Sequence, residues 1–126
     1  MRQLLIILLL IFGGIVPVFS QITNNGYAGV EVYYFHGTRR CDTCNAVEKV
    51  ASEALKQYFG DQLVLKSVNR EDDKNNALVK KYKIAGQALI IVKDGKKIDL
   101  TNMAFMNAER SPFRLKAKIK ETIDKL

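Results

Sequence analysis

The chain predicts an α/β domain: a mixed four-stranded sheet flanked by helices, in the order β-α-β-α-β-β-α. Three observations carry this. Runs rich in β-branched and aromatic residues alternate with runs whose apolar residues recur at three- and four-residue steps. The pair Asp94-Gly95 stands between two short strand-like runs and marks a hairpin. The only two cysteines, Cys41 and Cys44, lie where the first strand-like run gives way to the first helix-like run. A β-α-β unit feeds a parallel pairing, and a terminal hairpin with a helix completes a sheet covered on both faces.

Residues 1–20 read as a segment removed before folding. Arg2 is followed by the apolar run Leu4 to Phe12, then by the helix breakers Gly13, Gly14 and Pro17. Val18-Phe19-Ser20 suits signal-peptidase cleavage before Gln21. The alternative is an uncleaved membrane tether, but Leu4 to Phe19 is shorter than the roughly 20 residues a spanning helix needs. Cleavage leaves residues 21–126, enough for one domain with its own core and no stable membrane insertion. The expected setting is export, to a periplasm or beyond the cell. Residues 21–29, Gly-rich and polar at Thr23 to Gly29, read as a flexible leader, so the folded unit is 30–126.

Val30 to Phe35 is β-branched and aromatic and reads as a buried strand. From Asn45 to Phe59, Val47, Val50, Ala51, Ala54, Leu55 and Phe59 form one wide apolar stripe with Cys44 at its head, and Gly60 terminates it. Leu63 to Val68 reads as a second strand. Glu71-Asp72-Asp73 then places negative charge at a helix start, whose apolar face is Ala77, Leu78, Val79 and Tyr82, closing near Lys83. Ala88 to Val92 is continuous enough to be central, and the alternating Lys97 to Thr101 reads as its antiparallel edge partner. Met103-Ala104-Phe105-Met106 reads as an apolar loop, suited to docking varied partners or else folded onto the core. Ser111-Pro112 opens a last helix with Phe113, Leu115, Ile119, Ile123 and Leu126 on its buried side.

The full chain carries a formal charge of +7. The basic residues are scattered with acids among them, which reads as a solvated basic surface and not as a nucleic-acid site.

The spacing C-x-x-C closes a loop too small to constrain the unfolded chain much, so stapling is a poor reason for it. At a helix N-terminus the first thiol is favoured as a thiolate, the nucleophile of thiol–disulfide exchange. Cys44 lies on the apolar stripe and Cys41 at its exposed start, the division of labour that a resolving and an attacking cysteine need. Arg39 and Arg40 have two readings: cations that hold the Cys41 thiolate, or ordinary loop charges in solvent. His36, the sole histidine, is a packing residue, or else tunes Cys41, relays a proton or serves as a third metal ligand. Asp42 and Thr43 are expected to help cap the helix.

This order of elements, with C-x-x-C opening the first helix, resembles the thioredoxin fold over about Val30 to Leu126. Leu65-Lys66-Ser67-Val68-Asn69, Ala77 to Ile84 with Tyr82-Lys83-Ile84, and Leu89 to Lys96 are similar to its successive core segments. The stretch Val32 to Cys44 resembles small exported thioredoxin-like proteins labelled ArsF-like, a label tied to arsenic-resistance operons and nitroreductase subunits. The resemblance implies that Cys41 attacks and Cys44 resolves. It also exposes three departures. The family's cis-proline position falls at Gln87 or Ala88, its buried acid is Phe35, and its tryptophan before the first cysteine is Arg40.

The expected activity is thiol–disulfide exchange with protein or small thiol partners, with no cofactor beyond the cysteine pair and no resident metal. The alternatives are a dithiol protein binding a soft metal or arsenite, favoured by two close thiolates, and a redox-inactive partner subunit.

Overall fold

A computed structural model describes residues 26–126, so the expected cleaved segment 1–20 and the first part of the leader lie outside the described residues. The elements are β1 (Val30–His36), α1 (Asp42–Phe59), β2 (Leu65–Asn69), a 3-10 turn (Asp73–Asn75) running into α2 (Asn76–Lys81), β3 (Ala88–Lys93), β4 (Lys96–Asp99), α3 (Thr101–Asn107) and α4 (Pro112–Asp124). Among the described residues no helix is long and apolar enough to cross a membrane.

The sheet order is β2-β1-β3-β4. β1 pairs in parallel with β2, from Val32 opposite Leu65 to His36 opposite Asn69. It pairs antiparallel with β3, from Val30 opposite Lys93 to Phe35 opposite Ala88. β3 and β4 close the hairpin across Asp94-Gly95. Both turn residues have positive φ, 50° and 77°, the conformation that suits the twist of a two-residue hairpin.

β1 is buried along both faces because each face meets a different layer. Val32 and Tyr34 pack with Leu89 and Ile91 against α1 and α4. Tyr33 and Phe35 pack with Val68, Ile90 and Val92 beneath Tyr82, Leu78, Val79 and Ile84. Alternation along a strand sends successive side chains to opposite faces, so one hydrophobic run supplies both cores.

Several expectations change in the fold. The leader was expected to extend to Gly29, but residues 26–29 form a turn: Tyr27 stands edge-on to Phe59 at 4.7 Å, and its carbonyl accepts the Val30 N–H at 3.0 Å. α1 begins three residues before Asn45. Val64 is 70% exposed, and the second strand starts after it. Ala77 is exposed, so the buried side of α2 is Leu78, Val79 and Tyr82. Phe113 is 68% exposed. It sits in the first turn of α4, two positions before Leu115, which turns it away from the Leu115–Ile119–Ile123 stripe.

The largest correction is the segment Met103 to Met106, which is helical and not a loop. Strand β4 stops at Asp99, whose Oδ1 accepts the Thr101 N–H at 2.8 Å and opens α3. Leu100, Ala104 and Ala108 are all buried at four-residue steps, a helical signal that the alternation of Lys97 to Thr101 obscured.

Candidate functional site

Cys41 is the N-cap residue of α1, with extended backbone (φ −91°, ψ 168°), and its own Sγ accepts the Cys44 N–H at 3.1 Å. Asp42 and Thr43 therefore do not cap the helix as expected: they occupy its first turn, and the sulfur takes the amide that a cap oxygen would take. Cys41 and Cys44 are joined in a disulfide with their Cα atoms 5.0 Å apart. Cys41 is exposed and Cys44 is 1% exposed, buried against the α1 core.

A hollow of about 420 Å³ opens beside the pair, lined by Cys41, Cys44, Arg70, Gln87, Thr101 and Phe105. Gln87 is thus the residue facing the cysteines before β3. Ala88, the other candidate for that position, packs in the second core instead. No cis peptide bond occurs among the described residues. The Tyr34 hydroxyl donates to Gln87 Oε1 at 3.5 Å, a long contact that ties the floor of the hollow to the core. Burial, and secondarily the charge of Glu48, pushes the Tyr34 hydroxyl up to about 12.

The approach loop, residues 37–40, is braced from β2. Glu71 Oε2 accepts the Thr38 N–H at 2.8 Å, and Asn69 Nδ2 donates to Thr38 Oγ1 at 3.1 Å. The bonds from Thr38 hold the Glu71 carboxyl below the usual carboxylate range. A Cβ on Gly37 would meet Glu71 Oε1 at 3.1 Å, so the brace is fitted to glycine there.

Arg40 does not act as the free cation beside Cys41 that one sequence reading expected. Its Nη1 pairs with Glu48 Oε2, and its Nη2 donates to His36 Nε2 at 2.6 Å. His36 is buried, and its Nδ1–H donates to the Gly37 carbonyl at 2.9 Å. Both ring nitrogens are therefore occupied, and His36 is a packing residue with no nitrogen left for a metal. Among the described residues no group of three His, Cys, Asp or Glu side chains is placed to hold a metal ion. Arg39 is exposed and does not line the hollow. Asp42 is likewise exposed. Thr43 lines a neighbouring hollow of about 360 Å³ with Phe105, Met106, Glu109 and Arg110.

Phe35, at the position of the family's buried acid, faces the second core, and no acid lines the hollow. Two lining residues, Thr101 and Arg70, escaped the sequence reading as parts of the site, whereas Phe105 belongs to the apolar segment expected to suit partner docking. Phe105 and Thr101 arrive with the unexpected helix α3. Thr101 Oγ1 accepts the Leu89 N–H at 3.1 Å and so joins that helix to β3. Arg70 follows β2, and its backbone N–H donates to the His36 carbonyl at 2.8 Å. The parallel β1–β2 pairing is the signal for it, since the strand ends that bear ligands in open α/β sheets lie together.

No protein-family model and no curated protein sequence matches the chain. Solved structures do. The crystal structure of Trxlp from Edwardsiella tarda EIB202 matches with a TM-score of 0.52 at 19% identity, over 74% of this chain and 84% of that one. The structure of a malarial protein matches with a TM-score of 0.43 at 22% identity, over 61% of this chain and 92% of that one. The mixed four-stranded sheet, the helices on both its faces and the likeness to Trxlp give this chain a thioredoxin-like fold.

Proposed function

We propose that the protein is a thiol–disulfide oxidoreductase working through Cys41 and Cys44. One observation carries this reading: the two cysteines are joined at the N-terminus of α1, with Cys41 exposed beside an open hollow and Cys44 buried behind it. Reduced Cys41, as a thiolate, attacks one sulfur of a partner disulfide. A Cys41–partner bond forms, the partner's own S–S bond breaks, and its second sulfur leaves as a thiolate. Cys44 then gives up its proton and attacks Cys41 Sγ, closing the Cys41–Cys44 bond and releasing the first partner sulfur. Two electrons pass to the partner, and its thiolates take up protons.

The Cys44 amide, already on Cys41 Sγ at 3.1 Å, would hold the thiolate of the reduced form, aided by the helix dipole. With no acid on the hollow, the Cys44 proton passes to water or to the departing thiolate. Partners are protein or small thiols. Export, as read from residues 1–20, places the exchange where disulfides persist.

The test is titration of the metal-free protein in glutathione buffers, following the state of both cysteines. A reversible intramolecular couple is expected; a potential near about −120 mV would make it an oxidant and one near about −270 mV a reductant. Cys44→Ser should accumulate a mixed disulfide at Cys41, visible by intact mass, whereas Cys41→Ser should not. If no reversible couple forms and the reduced protein retains arsenite or a soft metal through both sulfurs, the dithiol-binding alternative replaces this reading.

A further inference from the structure

Arg70 is the one cation on the wall of the hollow that holds the cysteines. Its Nε is completely buried and has no hydrogen-bond partner. None of the ion pairs among the described residues involves it, and residues 1–25 contain no Asp or Glu that could supply one. Its sequence neighbour Glu71 spends its carboxylate on the Thr38 amide. The backbone of Arg70 is meanwhile fixed by the bond from its N–H to His36. The buried Nε has no protein acceptor, so no partner inside the domain neutralises this guanidinium, and the half-buried side chain can offer its remaining N–H groups to a carboxylate in the hollow.

We propose that Arg70 is a specificity-determining residue that binds a carboxylate carried next to the reacting sulfur of the partner. The inference rests on the oxidoreductase reading and names its substrate class: acidic thiols and disulfides. Arg70 takes no part in bond making. It holds the partner's carboxylate while the partner's sulfur lies at Cys41. Gln87 and Thr101 are neutral and Phe105 is apolar, so no acid shares the hollow's wall with Arg70; Glu71, within Coulombic reach, is outside that lining.

The experiment measures the rate at which reduced protein is oxidised by three small disulfides of different charge: those of 3-mercaptopropionate, 2-mercaptoethanol and cysteamine. A second arm uses paired peptide disulfides with Asp or Asn beside the cysteine. Arg70→Gln should lower the anionic-to-neutral rate ratio about tenfold, the size of a lost charge-assisted hydrogen bond. Arg70→Lys should restore part of it, and Arg39→Gln, which changes an exposed charge, should leave it within about twofold. A ratio effect confined to the small disulfides identifies a small acidic thiol as the source of the carboxylate; an effect in the peptide arm identifies an acidic protein segment.

Equal ratios in wild type and Arg70→Gln, with exchange itself intact, overturn the proposal and leave the oxidoreductase reading standing. An equal fall with Arg39→Gln overturns it too, because the preference would then belong to the diffuse field of a basic protein. Absence of exchange with all three disulfides, the neutral one included, overturns both. If Arg70→Gln does not fold, Arg70→Lys decides the matter: it keeps the charge but loses the fork, and an unchanged ratio there overturns a bidentate carboxylate site.

Discussion

Arg40 shows how far a charge's effect depends on its partners. Adjacent in sequence to Cys41, it would hold the thiolate and make the disulfide more oxidising if it were free. Instead its guanidinium lies between Glu48 and His36. Glu48→Gln should uncover that charge and raise the reduction potential, by no more than about 20 mV, since a partly exposed ion pair is worth about 1 kcal/mol or less. A lower potential in the variant would contradict the account. Tyr34 makes a second residue-scale prediction. Its hydroxyl, pushed up to about 12 by burial, is held protonated more tightly in the folded state than in the unfolded chain, where tyrosine titrates near about 10. This contribution to stability is complete below about pH 10 and is lost as pH rises through the folded value. Tyr34→Phe should therefore flatten the alkaline fall of unfolding free energy; urea unfolding at a series of pH values from 9 upward would show it, and parallel curves would refute it.

At the scale of elements, the ends of the helices carry more information than their middles. α2 stops in a bond from the Ile84 N–H to the Val79 carbonyl at 2.9 Å, with Lys83 in the left-handed region at φ 54°. That geometry favours glycine, and lysine tolerates it at a cost. Lys83→Gly should stabilise the domain by about 0.5–1 kcal/mol in chemical denaturation, the strain relieved less the entropy glycine adds to the unfolded chain; destabilisation would show that the Lys83 side chain contributes more than its backbone costs. α1, by contrast, ends at Gly60, a position the sequence marks as its stop. α3 begins where Thr101 bonds to Asp99 and to Leu89 of β3, and it is this helix that carries Phe105 to the hollow.

Across the whole molecule, two cores share one sheet. β1 and β3 place alternate side chains into both, so neither layer can be lost while the other keeps its floor. Urea unfolding should follow a single transition, with far-ultraviolet dichroism coincident with the near-ultraviolet signal of Tyr34 on one face and of Tyr33 and Tyr82 on the other. Separated midpoints would mean that the α2 layer opens independently. The same architecture explains the position of the site. The parallel pairing of β1 with β2 sets the loops after both strands side by side, and Glu71 and Asn69 then brace the segment that leads into Cys41.

By itself the sequence determined the elements whose signals are local: the two buried central strands, the Asp94-Gly95 hairpin, the stripe of α1, and a cysteine pair at a helix start with one thiol exposed and one buried. Those features follow from periodicity, turn chemistry and spacing, which need no knowledge of distant residues. Tertiary structure alone decided what depends on long-range pairing. It turned Arg40 toward Glu48, occupied both nitrogens of His36, set Gln87 and not Ala88 beside the cysteines, and brought Arg70 and Thr101 to the same hollow. Residues 70 and 101 have no common pattern along the chain. They meet because β1 lies between β2 and β3, and their chemistry becomes legible only once that order is known.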